Sequence, residues 1–122
     1  MKRSPLLQSF VYAFSGLWQA WCHERNLRIH AVVAVAVCCL AGWLHVSLWD
    51  WAVLVLTIAV VISSELFNTS LEAVVDLVSP QRHELAQRAK DVASAAVLVL
   101  SIAAVIIGLL ILGPPLYARL AK

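Results

Sequence analysis

Three strongly apolar segments of the chain contain no Asp, Glu, Lys or Arg. These uncharged segments are Ile29–Trp49, Trp51–Ser64 and Val92–Ala118. A membrane-spanning helix needs about 20 apolar residues, so the first and third segments are long enough on their own. The second reaches that length only if Asp50 lies at one membrane interface and Glu65 near the other. The pattern predicts three transmembrane helices, contained in helices at about residues 29–46, 50–78 and 88–112. Proline signals are predicted to end the last two of these, at Ser79-Pro80 and at Gly113-Pro114-Pro115.

A different pattern precedes the first uncharged segment. Apolar residues recur there in steps of three and four, at Leu7, Phe10, Phe14, Leu17 and Trp21. That spacing places them on one side of an amphipathic helix, predicted at about residues 5–27. Its aromatic side favours a position in the membrane interface, with packing against the protein's own helices as the alternative. The predicted fold class is an all-α integral membrane protein, and residues 1–122 form a single domain.

Composition agrees with this prediction. The chain is 62% hydrophobic with a mean hydropathy of +0.88, well above soluble proteins. A net charge of +2 without a basic cluster gives no indication of a nucleic-acid partner. Cys22, Cys38 and Cys39 have neither metal-site spacing nor the spacing of a disulfide framework.

Basic residues are distributed unevenly around the predicted spans. The short loop between the first two spans has none, whereas most precede the first span or lie between the second and third. Those residues are Lys2, Arg3, Arg25, Arg28, Arg82, Arg88 and Lys90. By the positive-inside rule, the N-terminus and the second loop are cytoplasmic and the C-terminus is outside.

Four polar residues fall on one face of the second predicted span. Glu65, Asn68, Glu72 and Asp76 lie within an arc of about 80° at 100° per residue. Counting from Trp51, Glu65 lies about 21 Å along the helix at 1.5 Å per residue, near the cytoplasmic boundary. Ionisable groups at such depths are commonly functional. The structural alternative is that Glu72 and Asp76 are solvated and paired with basic residues of the following loop, Arg82 or Arg88.

These residue types suit phosphoryl transfer at a membrane surface. Mg²⁺ takes one or two carboxylates and completes its shell with water and phosphate oxygens, and a carboxylate at headgroup depth can act as general base toward a lipid hydroxyl. Lys90 would assist the phosphates. The chain has no GxxxxGK[ST] or GxGxxG phosphate-binding loop. A kinase acting on a membrane lipid fits the pattern, although periodicity alone does not establish it.

The segment ELFNTSLEAVVD, which begins at Glu65, together with AKD at residues 89–91, resembles the signature of the prokaryotic diacylglycerol kinase family. ERNLRIH at residues 24–30 resembles that family's entry into its first span. The resemblance implies a homotrimeric lipid kinase of the bacterial inner membrane that uses MgATP, has an N-terminal surface helix and shares its active sites between subunits. It implies that Glu65 is the proton acceptor and that Glu24 and Glu72 bind Mg²⁺.

The resemblance also assigns residues to the nucleotide and to support of the active site. Asn68 and Asp76 match positions that shape the site. The positions implied for ATP binding are Tyr12, Glu24, Glu72, Gln81, Arg82, His83, Lys90 and Asp91.

The resemblance leaves the lipid open. Some family members phosphorylate diacylglycerol and others undecaprenol; ERNLRIH is closer to the undecaprenol type, and HELAQRAKDVASAAVL to the diacylglycerol type. Two other functional classes also remain as alternatives: a non-catalytic membrane protein whose polar stripe serves helix association, and a proton-conducting subunit with Glu65 as relay.

Overall fold

A computed structural model describes residues 4–122, and the secondary structure of this part of the chain is helical. The four helices are α1 Pro5–His23, α2 Arg25–Leu44, α3 Leu48–Val78 and α4 Glu84–Leu120. Helices α2, α3 and α4, with 20, 31 and 37 residues, are long and apolar enough to cross a membrane, which confirms the all-α class and the three predicted spans. Lys2 and Arg3, which entered the charge prediction, lie outside the described residues.

Helix α1 ends earlier than the sequence pattern predicts. The prediction extended it to residue 27, but Glu24 adopts an extended conformation (φ −103°, ψ 108°) that separates α1 from α2. Arg28 stabilises this break, since its Nη1 donates to the carbonyl oxygens of Trp21 and Cys22, both at 3.0 Å. Carbonyls at the end of a helix lack partners within the helix. The guanidinium therefore supplies the bonds that a longer α1 would have made internally.

A tight turn joins α2 to α3 and makes them antiparallel. His45 is left-handed (φ 53°, ψ 48°), and bonds from its amide to Gly42 O and from Val46 N to Ala41 O, both at 3.3 Å, form a Schellman motif. Helix α3 then begins immediately, with the Ser47 hydroxyl accepting the Asp50 amide at 3.1 Å. Residues equally far from this turn on the two helices therefore lie at similar depth.

Helix α3 is the centre of the bundle and packs against both α2 and α4, most extensively against α4. It ends at Val78, before the predicted Ser79-Pro80 stop. The loop that follows leads to His83, whose Nδ1 accepts the Leu85 amide at 3.1 Å and caps α4. A small apolar cluster holds the opposite end of the bundle; its buried members are Ala41, Leu44, Leu54 and Leu112.

Helix α4 continues through the predicted stop at Gly113-Pro114-Pro115 and ends at Leu120. Proline removes a helical hydrogen bond but has a φ angle that a helix accommodates, and the last turn is closed by Ala121 N to Tyr117 O at 3.0 Å. Arg119 fixes this extension to α2. Its Nη1 donates to Trp43 O at 3.0 Å, and its guanidinium lies 4.3 Å from the centre of the Trp43 ring.

Candidate active site

Among residues 4–122, Glu65 on α3 is the charged residue that is buried, with 4% of its surface exposed to solvent. Its Oε1 lies 3.1 Å from Nε2 of His30 on α2. A carboxylate accepts, so the imidazole donates this bond between the two helices. Burial of a carboxylate is unfavourable unless it is hydrogen-bonded, and His30 supplies that bond. Glu65 therefore faces the protein interior rather than the surface of α3.

The sequence prediction placed Glu65 at the site but did not give it this partner. A signal was present, because His30 and Glu65 lie at nearly equal distances from the α2–α3 turn and antiparallel packing brings such positions together. The missing information was which face of α2 contacts α3.

Asn68 and Glu72 form the next contact along the same face of α3. Asn68 Nδ2 donates to Glu72 Oε1 at 3.1 Å. Asn68 Oδ1 is buried and has no hydrogen-bond partner within residues 4–122. Carboxylate and amide oxygens are ligands of the kind that Mg²⁺ takes, so the donors at this position fit the ion predicted from the sequence.

Glu24, the other predicted Mg²⁺ ligand, lies at the break between α1 and α2 and is half-buried. Glu24 occupies the N-cap position of α2, but its side chain makes no capping hydrogen bond to the backbone of that helix. The described residues contain no group of three or more His, Cys, Asp or Glu side chains placed to hold a metal. A site of one or two carboxylates completed by water and phosphate is the arrangement usual for Mg²⁺, and it needs no such group.

Asp76 is joined to Lys90 on α4 by an ion pair. The side chain of Asp76 is 63% exposed and that of Lys90 is 30% exposed, so the pair lies at the surface where α3 and α4 leave their apolar segments. The structural alternative paired Glu72 and Asp76 with Arg82 or Arg88. In the structure Arg88 instead pairs with Glu84 on its own helix, at 3.8 Å.

Tyr12 lies apart from most of the other residues predicted to contact nucleotide. It lines a cleft of about 560 Å³ between α1 and α3, together with residues such as His23 and Thr69. Position 12 is the one predicted nucleotide position that this cleft contains.

Five of the remaining predicted nucleotide residues line two clefts around the α3–α4 loop, whereas Glu24 and Glu72 line neither of them. One, of about 200 Å³, is lined by residues that include Asp76, Gln81, Arg82, His83 and Lys90. A second, of about 450 Å³, is lined by Arg82 and His83 with Asp91, whose Oδ1 accepts from Gln87 Nε2 at 2.9 Å. Within one chain, the predicted nucleotide positions are thus divided between separate clefts.

Comparison with known proteins gives consistent results. The family described as prokaryotic diacylglycerol kinase matches residues 11–112. A diacylglycerol kinase of Synechocystis is 51% identical over 91% of this chain and 64% of its own length. The undecaprenol kinase of Bacillus subtilis is 41% identical over 89% of each chain, and a diacylglycerol kinase of Escherichia coli K12 is 37% identical over 83% of each.

Proposed function

Since the chain belongs to the prokaryotic diacylglycerol kinase family, we propose that it is an ATP-dependent lipid kinase that phosphorylates the hydroxyl of a membrane lipid. The observation that carries this proposal is the placement of Glu65, a buried and hydrogen-bonded carboxylate in a membrane-length helix. The three helices of membrane-spanning length, together with the bacterial relatives, indicate a bacterial membrane protein. Family membership favours the kinase over helix association alone or proton conduction.

Glu65 is the proposed general base. Oε1 is held by His30, which leaves Oε2 to accept the proton of a lipid hydroxyl. As that proton leaves, the lipid oxygen bonds to the γ-phosphorus of ATP and the bond from phosphorus to the ADP oxygen breaks. The products are a lipid phosphate and ADP. A positioned general base typically contributes about 10²- to 10⁴-fold to such a rate.

Glu72, with Glu24, would hold Mg²⁺ on the nucleotide side of Glu65. The ion, when bound, neutralises charge on the phosphates during transfer. Asn68 supports this arrangement by fixing one oxygen of Glu72, and Asp76 supports it by orienting Lys90. Lys90 and Asp91 on α4, with Gln81, Arg82 and His83 in the preceding loop and Tyr12 on α1, are the proposed nucleotide contacts.

A homotrimer with sites shared between subunits is part of the proposal. Two observations support it: the predicted nucleotide positions of a single chain line separate clefts, and large apolar side chains of every helix are exposed in the single chain. Neighbouring subunits and lipid would cover these surfaces. Exposed aromatic residues of α1, among them Phe10, Phe14 and Trp18, support a position of that helix in the membrane interface.

The proposed orientation follows the basic residues. Arg25, Arg28, Arg82, Arg88 and Lys90 all belong to the end of the bundle that contains Glu65. The positive-inside rule places that end, and hence the active site and the N-terminus, in the cytoplasm. The C-terminus is then on the outer side of the plasma membrane, and cytoplasmic ATP has direct access to the site.

Two lipids are proposed as acceptors, diacylglycerol and undecaprenol, because relatives of both names match most of this chain. The test is to incubate the purified protein in lipid–detergent micelles with γ-labelled ATP, Mg²⁺ and each lipid alcohol in turn. We expect label in one or both lipids, and labelling at least about 10²-fold slower with Glu65→Gln. Unlabelled lipid in every reaction, from a folded protein, would contradict the proposal.

A further inference from the structure

The bond between His30 and Glu65 connects the proposed base to a helix that otherwise has no assigned part in the reaction. His30 Nε2 lies 3.1 Å from Glu65 Oε1, and the two side chains are 24% and 5% exposed. Leu27, one helical turn before His30, is 3% exposed, so this face of α2 is packed against the protein. The part of α2 that carries His30 is therefore fixed by packing against the rest of the protein.

We infer that His30 is a positioning residue for the proposed reaction: by donating Nε2–H to Oε1, it aims the other oxygen of Glu65 at the lipid hydroxyl. This inference rests on the proposed function and adds to it a residue on α2. A glutamate side chain has three rotatable bonds, and a reacting group held about 1 Å from its productive position loses much of its rate. The histidine bond fixes the carboxylate before the lipid arrives.

The surrounding polar groups offer Glu65 no equivalent support. The nearest candidate on its own helix is Asn68, and that amide donates to Glu72 instead. The ammonium group of Lys90 is paired with Asp76. Within residues 4–122, His30 is accordingly the residue whose side chain hydrogen-bonds to the Glu65 carboxylate.

The proton of the lipid hydroxyl passes to Glu65 Oε2 and is later released to water, while His30 keeps its own proton throughout. His30 thus acts only through Glu65. Replacement by glutamine keeps an N–H donor at a similar reach, whereas replacement by leucine keeps the bulk and removes the donor. A bond of this type to a charged group contributes enough to change a rate about 10- to 100-fold.

The test compares His30→Gln, His30→Leu and the control His45→Asn, which removes an imidazole at the opposite end of the bundle. Each full-length protein is assayed for kcat and for the KM of MgATP. We expect His30→Leu to lower kcat about 10- to 100-fold with an unchanged KM, His30→Gln to retain most of the activity, and the control to match wild type. In a Glu65→Gln background, His30→Leu should lower the residual rate no further.

A second measurement does not depend on turnover and is made on variants shown to be folded. In protein labelled with ¹⁵N-histidine, the Nε2 resonance of His30, assigned by its loss in His30→Gln, should move when Glu65 is changed to Gln. An unmoved resonance would overturn the inference, as would an active wild type whose kcat is unaffected by a folded His30→Leu. A wild type that phosphorylates no lipid would overturn the proposed function, and the inference with it.

Discussion

The carboxylate of Asp76 on α3 pairs with the ammonium group of Lys90 on α4, at the end of the bundle where both helices leave their apolar segments. Ion pairs this exposed are screened by water and contribute little to stability. The fold therefore gains little from the pair. The ion pair instead fixes the position of the Lys90 ammonium group, beside Asp76 and one helical turn beyond Glu72. The phosphates of the proposed nucleotide would lie there.

Lys90→Met should accordingly affect the nucleotide more than the fold. We expect the KM for MgATP to rise about tenfold, while the midpoint of thermal unfolding changes little because the ion pair is exposed. Lys122→Met removes the same charge at the other end of the chain and should leave both values unchanged. An unaltered KM in Lys90→Met would remove Lys90 from the nucleotide site.

Glu65→Gln should reduce phosphoryl transfer to a small residual rate and preserve the fold, because the amide is isosteric but cannot accept the hydroxyl proton as a carboxylate does. The expected loss in kcat is at least about 10²-fold, measured by transfer of labelled phosphate to lipid. Asp50→Asn makes the same change in the first turn of α3 and should remain active. Near-normal turnover by Glu65→Gln would refute the assigned base.

Glu24→Ala and Glu72→Ala should each weaken the dependence of the rate on Mg²⁺. Loss of one of two carboxylate ligands raises the Mg²⁺ concentration needed for half-maximal activity, so we expect a shift of about tenfold in a metal titration at fixed ATP. Glu84→Ala, which removes an exposed carboxylate that pairs with Arg88 on the same helix, is the matched control. Titrations identical to wild type in both variants would exclude these ligands.

Arg28→Met should destabilise the break between α1 and α2. Two carbonyls at the end of α1 lose their donor, and hydrogen bonds to a charged group contribute about 1.5–3 kcal/mol when well formed. Arg25→Met removes an exposed guanidinium in the same turn of α2 and serves as the control. We expect a lower midpoint of thermal unfolding for Arg28→Met alone; equal midpoints would show that the cap is not a stabilising contact.

Much of the fold follows from charge placement and hydrophobic period. The three uncharged segments determine the spans, and Ser79-Pro80 correctly predicts the end of α3. Helices α2 and α4 each begin about four residues before the predicted start, α1 ends early and α4 ends late. At the last two of these bounds tertiary contacts override the local signal. Glu24 belongs to a residue type that favours helices, yet the helix breaks there, and Pro114-Pro115 is a strong stop signal, yet Arg119 and Trp43 anchor a helix that continues beyond it.

In the candidate site, too, contacts within one helix follow from the sequence, whereas contacts between helices do not. Helical period places Asn68 and Glu72 on one face of α3, and the structure confirms that they are in contact. The partners of Glu65 and Asp76 lie on other helices. The hydrophobic periodicity of a helix shows which of its own faces is polar. It does not show which face a neighbouring helix turns toward it, so His30 could not be identified as the partner of Glu65.

Helix length has a consequence for how the protein sits in its bilayer. At 1.5 Å per residue, α3 and α4 extend about 46 Å and 55 Å, against a hydrocarbon thickness of about 30 Å. Even when tilted, both must overhang the membrane. Their charged segments make up this overhang, so a pair of helices stands in water beside the lipid headgroups. A thicker bilayer would bury part of these two charged helix ends in the headgroup region. Membrane thickness would then affect how easily a soluble nucleotide reaches its proposed binding site.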